Sequence, residues 1–219
     1  MELWIAFGTG RNFRFLAAHE MARALGPDRC IALPMFQFPG CDTISCFAGR
    51  GKKTAWDTWS VYETITKAFC SLMEKPESIN ENMTSLERFV ILMYDRTRSL
   101  NCVNQVRKQL FTQKGRSIED IHPTKAALLQ HSRRATYQAS YCWGQALNEV
   151  EDLPCPSNWG WKRNELDGWQ ICWSTLPEAS KACRELLRCG CKKGCSGRCK
   201  CAKAALKCTA LCFCGGECV

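Results

Sequence analysis

The chain has 219 residues, 46% of them hydrophobic, and sets 30 Lys and Arg against 21 Asp and Glu for a formal charge of +9. That composition is ample for a packed core. It excludes a helical membrane span, because no window approaches the roughly eighteen consecutive apolar residues a span requires. The start, MELWIAFGTGRNFR, has neither a basic opening nor an apolar run long enough for a secretory signal. An intracellular, nuclear protein with no membrane partner is therefore expected.

Leu3 to Phe7, Gly8-Thr9-Gly10 and Asn12 to Leu16 read as strand, tight turn and strand. His19 to Leu25 reads as a short amphipathic helix stopped by Gly26-Pro27, with His19 a surface residue at the helix start. Cys30 to Phe38 is apolar and helical in part, interrupted at Pro34 and Pro39.

The stretch GCDTISCFAGRGKKTAW, residues 40–56, carries Gly49-Arg50-Gly51 ahead of Lys52 and Lys53. Glycines let a backbone approach a phosphate closely, and free amides at a helix N-terminus favour an anion there. Two lysines at that point add charge. These five residues are a candidate phosphate contact, and the alternative is an ordinary turn.

Gly40-Cys41-Asp42, a short helical stretch, Gly49-Arg50-Gly51, Lys53 and Ala55 resemble the flap endonuclease and XPG-like nucleases of the PIN-like superfold. The resemblance spans residues 3–72, and the upstream order of strand, turn, strand and helix agrees with it. It implies a basic residue gripping a duplex backbone and a Mg²⁺ site built from several carboxylates. Asp42 is the one position that carries over as a Mg²⁺ ligand, and an Asx-turn or helix-cap role suits it equally. One carboxylate does not hold the metal pair that in-line phosphodiester cleavage uses. If the start of the chain is complete, no nuclease activity is expected, and no residue is assigned as catalytic. The whole chain also resembles an uncharacterised group of mobile-element-associated animal proteins.

From Lys53 to Met73 the apolar residues Ala55, Trp56, Trp59, Tyr62, Ile65, Ala68, Phe69 and Leu72 recur at helical steps, which predicts one core-facing helix. Glu74 to Asn82 reads as a polar linker. Ser85 to Thr97 and Val103 to Thr112 read as two further helices, Lys114 to His122 as a loop, and Pro123 to Leu147 as a long helix. On that helix Leu128, Leu129, Ala135, Tyr141 and Trp143 are expected to be buried, and His131, Arg133 and Arg134 to form a solvated face. Glu149 to Asn158 is turn-rich. Trp159-Gly-Trp161 to Trp173 reads as a β-hairpin with Trp169, Ile171 and Trp173 on one face. It serves either as an aromatic platform for bases or peptide, or as a seal on the edge of the helical domain, the preferred reading.

Half of the 18 cysteines are scattered singly at 30, 41, 46, 70, 102, 142, 155, 172 and 183, where they read as small buried apolar residues. The other nine are Cys189, Cys191, Cys195, Cys199, Cys201, Cys208, Cys212, Cys214 and Cys218. An odd count does not close into disulfides, and cysteines two apart are poor partners for each other. Zinc takes four ligands. Three zincs need about twelve sulfur contacts, which nine thiolates supply when three of them bridge. With Leu206, Leu211 and Phe213 as its only large apolar side chains, the stretch must draw most of its folding free energy from metal. A metallothionein-like store and a disulfide knot are the alternatives.

Cys189-Gly-Cys191-Lys192-Lys193, Cys199-Lys200-Cys201, Cys208, Cys212-Phe-Cys214 and Cys218 resemble the CXC domains of the tesmin/TSO1 group. That resemblance implies three Zn²⁺ on nine cysteines and contact with DNA. The gaps on either side of Cys195 are each one residue shorter than the group's pattern, and Arg198 stands where the group has a DNA-contacting tyrosine. Between Lys181 and Lys207 nine Lys or Arg face one acid, Glu185, which suggests an anionic partner. Lys192, Lys193, Arg198, Lys200 and Lys203 are the candidate nucleic-acid contacts. Three Zn²⁺ on nine thiolates carry a net charge of about −3, which part of this positive charge offsets.

The reading is a mainly α domain over 1–175, with a small N-terminal β-hairpin and a Trp-rich hairpin, followed by an irregular zinc module over 181–219. Its expected function is zinc-dependent, non-catalytic binding of nucleic acid, DNA above RNA. The alternatives are a remnant of a metal-dependent nuclease and a protein-interaction scaffold.

Overall fold

The computed structural model describes residues 1–40, 45–112, 121–148, 152–165 and 168–175, together with Cys191, Cys201, Cys208 and Cys212; for 111–112 it describes the backbone alone. The chain divides into two compact units, Met1–Ser174 and Thr175–Val219. The first is mainly helical with two antiparallel hairpins.

Strands β1 (Trp4–Phe7) and β2 (Arg14–Ala17) pair in the register Trp4 with Ala17 and Phe7 with Arg14. Helix α1 (Ala18–Leu25) follows directly and ends at Gly26; Pro27 then opens α2 (Pro27–Ala32). Proline suits a first helical position, where its missing N–H leaves no bond unmade. A 3₁₀ turn over Leu33–Gln37 carries Met35 and Phe38 to full burial.

The stretch expected as one helix is two, α3 (Lys52–Val61) and α4 (Thr64–Glu74), broken at Tyr62. Thr58 and Ser60 donate their hydroxyls back to Thr54 O at 2.8 Å and Trp56 O at 3.0 Å, bonds that loosen a helix end. Trp59 Nε1–H then donates to Thr66 Oγ1 across the break at 2.8 Å. Its indole stays bonded while the chain changes direction, so Trp59, Ile65, Phe69 and Leu72 all remain inside.

The polar residues read as a linker turn onto one another. Asn82 Nδ2 donates to Ser71 Oγ at 3.1 Å and to Ser78 O at 3.0 Å. Helix α5 (Ile79–Tyr94) consequently starts six residues before Ser85, and with Leu86, Phe89, Val90 and Ile91 buried it forms the centre of the core. Buried apolar side chains of this size each contribute about 1.5–3 kcal/mol.

Helix α6 (Val103–Thr112) matches its expected bounds. Helix α7 (Lys125–Tyr137) is capped by Thr124 Oγ1, which accepts the Ala127 N–H. It runs into a π-helical turn, Gln138–Trp143, closed by Gly144 N–H donating to Ala139 O. The wider turn rotates the following residues off the inward stripe, and Trp143 is exposed rather than buried. Strands β3 (Trp161–Asn164) and β4 (Gly168–Ile171) form the second hairpin. Trp159 is buried and Trp161 packs beside it on Tyr137, sealing that edge, whereas Trp169 and Trp173 are exposed.

No helix among the described residues is long and apolar enough to cross a membrane. The scattered cysteines depart from expectation: 30, 70, 102 and 172 are half-buried and 46, 142 and 155 exposed. Positions 41 and 183 lie outside the described residues.

Candidate metal centre and basic turn

In the second unit the sulfurs of Cys201, Cys208 and Cys212 lie within 4.8 Å of one another. Cys201 and Cys212 are buried with their Sγ atoms 3.6 Å apart, and Cys191 and Cys208 pack against them half-buried. Sulfurs at that spacing are far beyond the ~2.05 Å of a disulfide. Two thiolates on one tetrahedral zinc stand about 3.8 Å apart, given Zn–S bonds near 2.3 Å. The donor set therefore fits a soft tetrahedral metal, and three cysteines over twelve residues of sequence converge to offer it. Cys189, Cys195, Cys199, Cys214 and Cys218 lie outside the described residues, as do Lys192, Lys193, Arg198, Lys200 and Lys203.

The basic turn is built at the start of α3. Phe47 and Arg50 form an isolated antiparallel bridge, and the chain reverses at Gly49 with φ +66°, a conformation that favours glycine. Gly51 then precedes the first helical residue, Lys52. Lys52 Nζ donates to Phe36 O at 2.7 Å and sits 5.1 Å from the centre of the Phe36 ring. Arg50 stacks its guanidinium 4.9 Å from the Tyr94 ring and donates from Nη1 to Gly49 O. Lys53 is exposed. The fold thus gathers Arg50, Lys52 and Lys53 on one helix start but holds two of them against aromatic rings. Asp42 lies outside the described residues.

The largest departure from sequence expectation is on α7. His131 and Arg134, expected in solvent, are buried, and only Arg133 is half-exposed. His131 Nε2 is 2.6 Å from Phe38 O, a pure acceptor, so Nε2 carries the proton and Nδ1 accepts from Ser45 Oγ at 2.6 Å. Burial and the nearby Arg134 charge pull the His131 pKa down to about 4, which keeps the ring neutral. Arg134 donates to Ser45 Oγ at 2.8 Å, Gly160 O at 3.0 Å and Cys172 O at 2.8 Å. Two side chains one helical turn apart therefore tie the Ser45 turn, the Phe38 backbone and the second hairpin to α7. An (i, i+3) pair of polar residues on a helix whose apolar stripe is short was the available signal.

No protein-family model, curated protein or solved structure matches this chain.

His19, read as a surface residue, is engaged: its Nδ1 lies 3.1 Å from Leu3 O and its ring packs edge-on against Trp4. Cys155 is exposed, and hydrogen bonding from the Ser157 hydroxyl and backbone lowers its thiol pKa. Burial raises that of Cys70.

Proposed function

We propose that this chain is a zinc-stabilised nucleic-acid-binding protein. The observation that carries the reading is the convergence of Cys201, Cys208 and Cys212 on one point, a donor set of the kind expected in a CXC-like module. The nine-cysteine ligand set, Cys189 to Cys218, completes three zinc sites through bridging sulfurs. The cations of the same segment, Lys192, Lys193, Arg198, Lys200 and Lys203, contact the phosphate backbone of DNA in the nucleus. Arg50 and Lys53 at the α3 start add a second backbone contact, with the Gly49 and Gly51 backbone beside them. The flap-endonuclease likeness enters as ancestry of the 3–72 region rather than as activity.

Metal analysis of the full chain tests the first half: three zincs per chain are expected, and two or fewer would remove the bridging. Duplex-DNA binding tests the second. Affinity should fall steeply between 50 and 200 mM salt, roughly 40-fold if three phosphates are contacted and about 500-fold if five are. The triple substitution K192A/K193A/R198A should abolish it. An absence of any DNA or RNA shift at low salt sinks the nucleic-acid reading and leaves the metal reading standing.

A protein-interaction role draws on one observation, the exposed Trp169 and Trp173 on the second hairpin. Loss of a partner on W169A/W173A with DNA binding intact would favour it.

A further inference from the structure

Beside Ser45 and Arg134 lies a cleft of about 220 Å³, lined by Ser45, Phe47, Tyr94, His131, Arg134 and Trp173 among others, with one cation and no carboxylate in its described wall. We propose that this cleft binds a hydrogen phosphate group, with Arg134 as the charge partner and Ser45 as the reader of the P–OH.

Arg134 is 1% exposed. A charge this deep is costly unless it is paired, yet its three acceptors are two backbone carbonyls and a hydroxyl. No carboxylate among the described residues pairs with it, and its Nε is buried without an acceptor. A guanidinium has five N–H donors. Three are used, so two remain for an oxyanion.

Ser45 narrows which oxyanion. His131 Nε2–H is committed to Phe38 O, which makes His131 Nδ1 an acceptor and draws the Ser45 hydroxyl proton onto it. To anything else in the cleft, Ser45 Oγ therefore presents lone pairs, one of which already takes an Arg134 N–H. A ligand meeting this pair must accept from arginine and donate to serine. Hydrogen phosphate does both at neutral pH, whereas sulfate and an ionised carboxylate have no proton to give. The ring of Trp173, 5.8 Å from the guanidinium carbon, and that of Tyr94 line the same cleft, and neither ring brings a carboxylate that would compete for Arg134. All of these residues lie in Met1–Ser174, so the site stands apart from the zinc reading.

The chain has three histidines, His19, His122 and His131, so ring NMR signals of the full-length protein give a local probe. Titration with inorganic phosphate should move the His131 signal saturably in the low millimolar range and leave His19 and His122 in place. Sulfate at matched ionic strength should move it at least tenfold less effectively. S45A should erase the preference for phosphate while the other two histidine signals report an intact fold. Methyl phosphate at pH 5.5, where it keeps a P–OH, separates two sources: equal affinity assigns an ester-borne phosphate, weaker binding the free ion. A His131 signal unmoved to about 50 mM phosphate, or moved alike by phosphate and sulfate, overturns the proposal.

Discussion

Glu87 on α5 reaches Lys125 Nζ at 2.7 Å through one carboxylate oxygen and accepts the Val103 backbone N–H at 2.9 Å through the other. One buried side chain thereby holds the first residues of both α6 and α7. The N–H groups of a first helical turn have no partner inside the helix, and a carboxylate there also complements the helix dipole.

Removing that carboxylate should loosen two helix starts together. E87A leaves the Val103 N–H buried without an acceptor, a loss of about 1–3 kcal/mol readable as a lower urea midpoint. E87Q keeps an acceptor and should lose less. Equal losses in the two variants would mean that the charge, and not the cap, is what matters.

The neutral His131 makes the fold sensitive to mild acid. Its folded pKa near 4 lies below the ordinary value of 6.5, so the unfolded chain takes up the proton first as pH falls. The stabilisation is complete above pH 6.5 and drains away between 6.5 and 4, by up to about 3 kcal/mol. His122, also lowered by burial, acts in the same direction. H131Q, which keeps a donor for Phe38 O and an acceptor for Ser45, should flatten the stability profile across that window. An unchanged slope would exclude His131 as its source.

Two glycines separate backbone strain from crowding. At Gly160 φ is +88°, and a Cβ would stand 2.6 Å from Gln130 O and 3.0 Å from Arg134 Cγ. At Gly168 φ is +74° with nothing within 4 Å. G168A should cost about 1–2 kcal/mol for the left-handed backbone alone. G160A should cost about 2–4 kcal/mol, because it also presses on α7 where Arg134 is held. Thermal midpoints of the two variants check the order.

The metal proposed for the cysteine module has a direct readout in thiol reactivity. If zinc is held there, a strong chelator should make the cysteines of 189–218 reactive toward thiol reagents, and unchanged reactivity would count against a metal. C201S should lower the zinc content. Full retention of zinc in that variant would exclude Cys201 as a ligand.

The apolar stripe at three- and four-residue steps was enough to place Val103–Thr112. The same stripe could not show the break at Tyr62, because Trp56, Trp59 and Ile65 keep their spacing through it. Nor could polarity show the start of α5. Ser78 and Asn82 look like linker residues until they are placed within hydrogen-bonding distance of each other and of Ser71.

Cysteine spacing and count alone determined the metal reading, since Cys-x-Cys steps and an odd total constrain the chemistry whatever the fold. Three of those nine sulfurs do converge in the structure. Tertiary structure decided His131 and Arg134. Charge and polarity predict solvent for such residues, because burying them alone is costly. Only the folded chain supplies the acceptors that offset the cost, and these lie far away in sequence, at Phe38, Ser45, Gly160 and Cys172.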